Sequence, residues 1–319
     1  MSRPSSVLVV GAGGLGCPAL IELAAGGIER LGILEPDRVE LTNLHRQILY
    51  READVGSPKA EVAGRAIRAQ FPAVEVETFV DAFGPSTQAL LTRFDAVIDG
   101  TDRFETKLLL SDACVDLGLP FVFGGVIAHE AQVLGVLPGR SACPRCLFDE
   151  GPPPGAEATC AELGILGPIA GIAAARQVEV LWSLFGPEPL VDRLSVYDGR
   201  SDTTREVRLR RAPDCRGCGP ERSRRGALVA PAEAEPDAEA EVLDLTGLVC
   251  PATFVATRRA LDPLPAGDHL WLRLAGDEAK RNVPASVRAA GHRILAQKTD
   301  GRFTTLLIER GTDSKGNPS

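Results

Sequence analysis

The sequence has no surplus of positive charge. Its 319 residues carry 35 Lys and Arg against 43 Asp and Glu, a formal net charge of −8. Phosphate backbones are held by clustered Lys and Arg, so this balance argues against nucleic acid as a partner. Nor is there a long hydrophobic run. The least charged N-terminal stretch, residues 7–21, is broken by four glycines and Pro18. It reads as a strand and a turn, neither a membrane span nor a signal peptide. The expectation is a cytoplasmic chain with no membrane association. Methionine occurs once and aromatics make up only 5%. Even so, 44% of the residues are hydrophobic, ample for a packed core in one large domain or two smaller ones.

Cysteine, by contrast, is plentiful, with eight residues at 17, 114, 143, 146, 160, 215, 218 and 250. With no export signal, metal ligation, catalysis or burial come ahead of stable disulfides. Cys143 and Cys146 form one C-x-x-C pair, and Cys215 and Cys218 form another. This spacing clasps zinc between two tight knuckles, and four thiolates would close a structural tetrahedral site. The alternative is two incidental or redox pairs. Cys17 and Cys114 fall on apolar helical faces and read as core. Cys160 follows the Gly/Pro-rich GPPPGAEAT and precedes AELGILGP. A lone thiol in such a loop suits a mobile nucleophile, and an inert buried cysteine is the other reading.

Apolar runs at 6–10, 31–34, 95–98 and 120–123 alternate with helical patterns at 18–25, 59–70 and 105–117. This alternation predicts an α/β fold, a Rossmann-like and mostly parallel sheet flanked by helices. The pattern breaks after Cys218. Residues 221–241 are rich in Ala, Glu and Pro, without an aromatic, and read as a tether. Strand and helix patterns return beyond it. The expected organisation is a nucleotide-binding domain over 1–220, the linker 221–241, a small two-layer α/β domain over 242–312, and a disordered tail at 313–319.

Gly11, Gly13 and Gly16 form G-x-G-x-x-G between a predicted strand and helix, with Gly14 inside the turn. Such glycines allow close backbone approach, and the helix start offers free N–H groups to phosphate. Glu35, at the end of the second strand, is placed to accept hydrogen bonds from ribose hydroxyls. Alone, this signal also fits a nicotinamide-linked oxidoreductase or a turn without ligand. The segment from Asp37 through Asn43, Arg46 and Gln47, followed by Lys59, adds groups that can reach a triphosphate. Asp102, in Asp99-Gly100-Thr101-Asp102, offers a hard oxygen ligand for magnesium. Individually, each of these charges reads as solvated surface.

Taken together and in order, GAGGLGC, EPDRVELTNLHRQ, VGSPKAE, DGTD and TCAELGILGP resemble the ThiF/MoeB/HesA family, bacterial relatives of ubiquitin-activating enzymes. The resemblance spans residues 6 to about 219. It implies an ATP-dependent adenylyltransferase acting on the C-terminal glycine of a small ubiquitin-like sulfur carrier protein of the MoaD/ThiS type. It also implies that Glu35 holds the ribose, that Asn43, Arg46 and Lys59 hold the phosphates, and that Asp102 holds magnesium. Asp37 and Gln47 complete the nucleotide set, with His45 and Gln47 packing or orienting. By the same resemblance the four paired cysteines hold zinc, Cys160 attacks the acyl-adenylate or forms an acyl-persulfide, and the protein is a homodimer. A carboxylate nucleophile is already ionised, so the reaction needs positioning and charge neutralisation rather than a general base. Family members begin with a helix whose arginine reaches the partner protomer's ATP, and here Arg3 is the sole candidate.

In the second domain a strand pattern runs to Cys250-Pro251 and a helix at 252–261. A cysteine at a helix start is favoured as thiolate by the helix dipole and free N–H groups. A buried structural cysteine is the alternative. GLVCPATFVATRRALDPLPAGD, GDEAKRNVPASVRAAGHRIL and TTLLIERG resemble the TusA sulfur-relay family, except that Thr253 replaces the second proline of C-P-x-P. Arg258, Arg259 and Arg288 lend the domain a positive balance. The resemblance implies that Cys250 takes persulfide sulfur from a cysteine desulfurase or other donor. It would pass that sulfur, directly or through Cys160, to the carrier as a thiocarboxylate for molybdopterin or thiamine biosynthesis. Rival readings are a non-enzymatic relay scaffold with a degenerate adenylation site, a nicotinamide-linked oxidoreductase, and amide-forming activation on the same fold.

Overall fold

The computed structural model describes residues 3–148, 166–220 and 242–248. Between 252 and 311 it describes all but 266, 277, 278, 281, 282, 285, 286, 288, 289, 291 and 301. Its contacts divide the chain into two units, Met1–Leu228 and Val229–Ser319.

In the first unit, the apolar run Ser6–Val10 forms strand β1, buried along its whole length. Side chains alternate across a strand, so Val7 and Val9 join one core while Leu8 and Val10 join another on the opposite face. Parallel neighbours extend both sides: β2 (Arg30–Leu34) and β4 (Ala96–Asp99) flank β1, β3 (Glu75–Phe79) lies outside β2, and β5 (Phe121–Ile127) outside β4. Beyond β5 the sheet turns antiparallel through β6 (Glu130–Val136), β7 (Arg193–Asp198) and β8 (Thr203–Arg208). The full order is β3-β2-β1-β4-β5-β6-β7-β8. Strands β1, β2, β4 and β5 follow the sequence reading, whereas β3, absent from it, widens the parallel half. The antiparallel extension is new, and β5 runs four residues past its predicted end at 123 to supply the hairpin partner for β6.

Helices α1 (Gly16–Ala25), α2 (Lys59–Gln70) and α5 (Gly167–Leu184) pack on one face through Leu20, Leu23, Ile67 and Leu181. Helix α3 (Phe104–Asp116) covers the other with Leu110, Ala113 and Cys114. The short α4 (Pro144–Leu147) packs beside α3. Cys17 and Cys114 are fully buried, one in each core, as their apolar settings predict. Burial pushes the Cys17 thiol up to about 12 and raises Cys114 well above its ordinary value.

The second unit is a four-stranded sheet of order β11-β12-β10-β9, with helix α6 (Ala252–Leu261). Its strands are β9 (Val242–Asp244), β10 (His269–Ala275), β11 (Arg293–Asp300) and β12 (Phe303–Glu309). Leu272 of β10 pairs with Leu306 of β12 and Leu270 with Ile308, and Leu272, Leu274, Leu306 and Ile308 join Leu261 in the core. Thr253 is fully buried in the first turn of α6, and its hydroxyl has no hydrogen-bond partner among the described residues. The tether 221–241, Arg288 and the tail 313–319 lie outside the described residues. Among the described residues no helix is long and apolar enough to cross a membrane.

Candidate functional site

The glycine turn joins β1 to α1, and its glycines do two different jobs. Gly11 has φ +94°, and a Cβ there would lie 2.6 Å from the Gly100 carbonyl; one on Gly16 would lie 1.9 Å from the Gly11 carbonyl oxygen. These two permit backbone packing. At Gly13 the nearest atom to an added Cβ is Gln47 Nε2 at 3.8 Å, and at Gly14 it is the Arg46 side chain at 3.6 Å. Those two keep the turn low beneath Arg46 and Gln47.

Glu35, at the end of β2, is buried and ties the turn to the sheet. Its Oε2 accepts the Ala12 N–H at 2.7 Å and its Oε1 accepts the Asp37 N–H at 2.9 Å. Burial pushes its carboxyl above the usual range, opposed by those two amides and by Lys59. Tyr50, which sequence reasoning did not single out, donates its hydroxyl to the Ala12 carbonyl at 2.6 Å; the Cys17 thiol meets the same oxygen at 3.2 Å.

A 3-10 turn at Leu41–Asn43 sets the next groups. Arg46 Nη2 donates to Asn43 Oδ1 at 2.8 Å, and Asn43 Nδ2 donates to Glu40 at 3.2 Å. Lys59, the first residue of α2, is buried yet reaches the exposed Asp37 at 3.1 Å. Gln47 is 4% exposed, with no partner for its Oε1 among the described residues. A buried amide oxygen left unsatisfied beside an open glycine turn is a natural acceptor for a ligand donor. Thus Arg46 and Gln47 lie over Gly14 and Gly13, with Asn43 hydrogen-bonded to Arg46, while Glu35, Asp37 and Lys59 gather at the end of β2.

Asp102 follows β4 in a turn whose backbone touches the glycine turn at Gly11 and Gly100. Its carboxylate is exposed and unpaired among the described residues. Behind it lies a buried network. Lys107 of α3 pairs with Asp99 at 3.2 Å, and Gln177 of α5 donates to the Asp99 carbonyl at 2.8 Å. Neither Lys107 nor Gln177 was legible in the sequence, where a lone Lys or Gln on a helix reads as solvated.

Across the first unit, the two C-x-x-C pairs converge. The four thiol sulfurs of Cys143, Cys146, Cys215 and Cys218 lie within 4.8 Å of one another. Sulfur separations of 4.0, 3.7 and 3.5 Å compare with about 3.8 Å for the edge of a tetrahedron with zinc–sulfur bonds of about 2.3 Å. The donor set and its size therefore fit a metal ion. Backbone N–H groups of Ala212 and Gly217 point at Cys146 and Cys215 sulfurs at 3.5 and 3.3 Å. Arg145, between the first pair, is fixed by Asp112 at 2.8 and 2.9 Å. Hydrogen bonding from Cys143 draws Cys218 down to about 5, while Cys143 rises for the same reason and burial pushes Cys146 up to about 11.

Cys160 and Cys250 lie outside the described residues. Arg3 stacks over Trp182 at 5.1 Å and donates to the Gly26 carbonyl at 3.4 Å. That places it at the end of α1 opposite the glycine turn.

Comparison with known proteins adds to this geometry. The ThiF family model matches residues 2–217, and the model for sulfurtransferase TusA matches residues 241–310. A Thermus thermophilus protein, sulfur carrier protein adenylyltransferase, is 43% identical over 231 residues, covering 70% of this chain and 85% of its own length. The Arabidopsis thaliana adenylyltransferase and sulfurtransferase MOCS3 is 40% identical over 220 residues, 67% of this chain and 47% of its own. The chain thus spans about half the length of that plant relative. Among solved structures, E. coli MccB superposes with a TM-score of 0.60 at 22% identity, over 67% of this chain and 64% of its own, a likeness of fold.

Proposed function

The chain belongs to the ThiF family, and from that premise we propose that it adenylates the C-terminal glycine of a ubiquitin-like sulfur carrier protein and then delivers sulfur to it as a thiocarboxylate. One observation carries the reading: an adenylation fold and a TusA match occupy a single chain. Activation of a carrier and supply of its sulfur are then parts of one design. The named activities of the Thermus and Arabidopsis relatives support it, and they favour nucleotidyl transfer over hydride transfer.

In this mechanism the triphosphate of ATP lies over Gly13 and Gly14, where no Cβ intrudes, against the free N–H groups at the start of α1. Arg46 and Lys59 neutralise its charge while the Asn43 amide donates hydrogen bonds, and Lys59 is available because its partner Asp37 is solvent-exposed. Glu35 retains lone pairs for ribose hydroxyls while holding two backbone amides. Asp102 would hold magnesium, which when bound shields phosphate charge and steadies the departing pyrophosphate. The carrier's terminal carboxylate oxygen attacks the α-phosphorus, the α–β bridging bond breaks, and pyrophosphate leaves an acyl-adenylate. Attack needs no base, because the carboxylate is ionised near neutrality.

Sulfur follows in two steps. The terminal sulfur of a Cys250 persulfide attacks the acyl carbon and expels AMP, giving an acyl disulfide on Cys250. Attack of the Cys160 thiolate on the Cys250 sulfur releases the thiocarboxylate and leaves a Cys160–Cys250 disulfide, which a cellular thiol reduces. The tether raises the effective concentration of this persulfide near the adenylate. The proposal includes a cysteine desulfurase or other persulfide donor, a structural zinc on the four cysteines, a homodimer, and a cytoplasmic place in molybdopterin or thiamine synthesis.

Carrier-dependent ATP–pyrophosphate exchange tests the first half. Exchange should require one Gly-Gly-ending carrier, vanish in Asp102→Ala, and persist in Cys160→Ala and Cys250→Ala. Mass spectrometry of the carrier tests the second half, with thiocarboxylate expected from the native chain and absent in Cys250→Ala. Folded, metal-bearing protein that exchanges with no carrier would leave a relay scaffold.

A further inference from the structure

We propose that Lys107 is a positioning residue that aims Asp102 at the metal of the bound nucleotide; this rests on the reading of Asp102 as a magnesium ligand. Lys107 lies on α3, five residues past Asp102, with a side chain only 7% exposed. A buried ammonium is costly unless every proton is used. Here all three find oxygen: Asp99 Oδ2 at 3.2 Å, the Thr101 carbonyl at 2.6 Å, and the Gly124 carbonyl of β5.

The Thr101 contact is the one that reaches the site. That carbonyl belongs to the peptide unit whose nitrogen is Asp102, and a peptide unit is planar. Fixing its oxygen fixes the plane from which the Asp102 side chain departs. The preceding peptide is held as well, because Asp99 Oδ1 accepts the Thr101 N–H at 3.0 Å and the Thr101 hydroxyl at 2.7 Å. On the opposite side, a Cβ on Gly100 would meet the Gly11 carbonyl oxygen at 2.7 Å, so the turn has no room to shift toward the glycine loop. Asp102 itself is unpaired among the described residues. Its aim is therefore set through the backbone, and Lys107 is the group that holds that backbone from behind.

A purely structural Lys107 would brace β4, α3 and β5 without affecting metal affinity. Manganese serves as a spectroscopic stand-in for magnesium, read by electron paramagnetic resonance on the full chain with ATP and no carrier. Removing Lys107 alone strands the buried Asp99, so the informative variant is Asp99→Asn/Lys107→Met, which removes both charges. That variant should fold and bind ATP normally in the presence of chelator. It should bind manganese in the ATP complex about ten- to a hundredfold more weakly, and Lys107→Arg should recover most of the loss. Native manganese affinity in the double variant would overturn the proposal, as would native affinity in Asp102→Ala. Because this measurement needs no carrier, native chain that binds manganese with ATP yet fails to exchange pyrophosphate would sink the proposed function and leave the Lys107 result standing.

Discussion

Glu35 and Tyr50 hold Ala12 from opposite sides: the carboxylate accepts its N–H at 2.7 Å, and the phenol donates to its C=O at 2.6 Å. Both side chains are buried. The middle of the glycine turn is thereby fixed before any nucleotide arrives, and turn order is part of the fold rather than a consequence of binding.

Removing one of these grips should be measurable. Tyr50→Phe deletes a buried hydrogen bond worth about 1 kcal/mol, lowering Tm by roughly 2–4 °C. ATP affinity should fall alongside, by calorimetric titration. Unchanged ATP affinity in a destabilised variant would show that the phenol braces the fold without shaping the turn.

The two kinds of glycine predict opposite outcomes. Gly16→Ala forces a methyl to within 1.9 Å of a backbone oxygen, so the first unit should melt far below the native chain. Gly14→Ala meets the Arg46 side chain at 3.6 Å and Ala170 Cβ at 3.8 Å, both ordinary contacts, so Tm should hold within about 2 °C. Its ATP affinity should still drop, because the methyl stands where phosphate approaches. Native ATP affinity in Gly14→Ala would show that the triphosphate lies elsewhere.

How far the sequence revealed these groups depends on the range of the interactions behind them. Strand β1, the glycine turn and α1 are legible because a buried run, a glycine motif and a helical pattern sit side by side. The C-x-x-C pairs are legible in the same way, each within four residues. That the pairs meet is a matter of fold, with Cys143 facing Cys215 across the chain at 3.7 Å. Strands β6–β8 escaped notice because β6 joins β7 only across the long segment that carries α4 and α5, and β8 is exposed along its whole length. Lys107 escaped for a sharper reason: its burial is created by Asp99 and Gly124, neither of which a helix pattern reveals.

The cysteine cluster predicts stoichiometric zinc in the purified protein by elemental analysis. Cys143 is fully buried within the core beneath α3, so Cys143→Ser should lose the metal and lower Tm by roughly 10 °C. Cys17→Ala, remote from the cluster, should keep its zinc. Full metal content in Cys143→Ser would remove that residue from the ligand set.

Asp95 ties the start of β1 to the sheet. Its Oδ2 accepts the N–H and hydroxyl of both Ser5 and Ser6, each at 2.9 Å. Desolvation opposes ionisation, but the donors of Ser6 and Ser5 outweigh it and hold the carboxyl below its usual value. The folded state thus gives up this proton more readily than the unfolded chain. The resulting stability is present above about pH 4 and is lost as pH falls through the folded value. Asp95→Asn should therefore melt lower than native protein at pH 7, with the gap closing in acid. A gap constant with pH would assign the effect to lost geometry instead of charge.

The cysteine cluster also stands close in sequence to both thiols proposed to handle sulfur. Cys160 comes fourteen residues after Cys146, and Cys250 thirty-two after Cys218. Even fully extended, those segments reach about 50 Å and about 110 Å. On the proposed roles, both thiols are tethered to one post, Cys160 being held from its other side as well by the helix cap at Leu166, six residues on. If the four cysteines hold zinc as proposed, oxidising any one of them would loosen both tethers together and make the metal a shared weak point of the proposed sulfur delivery.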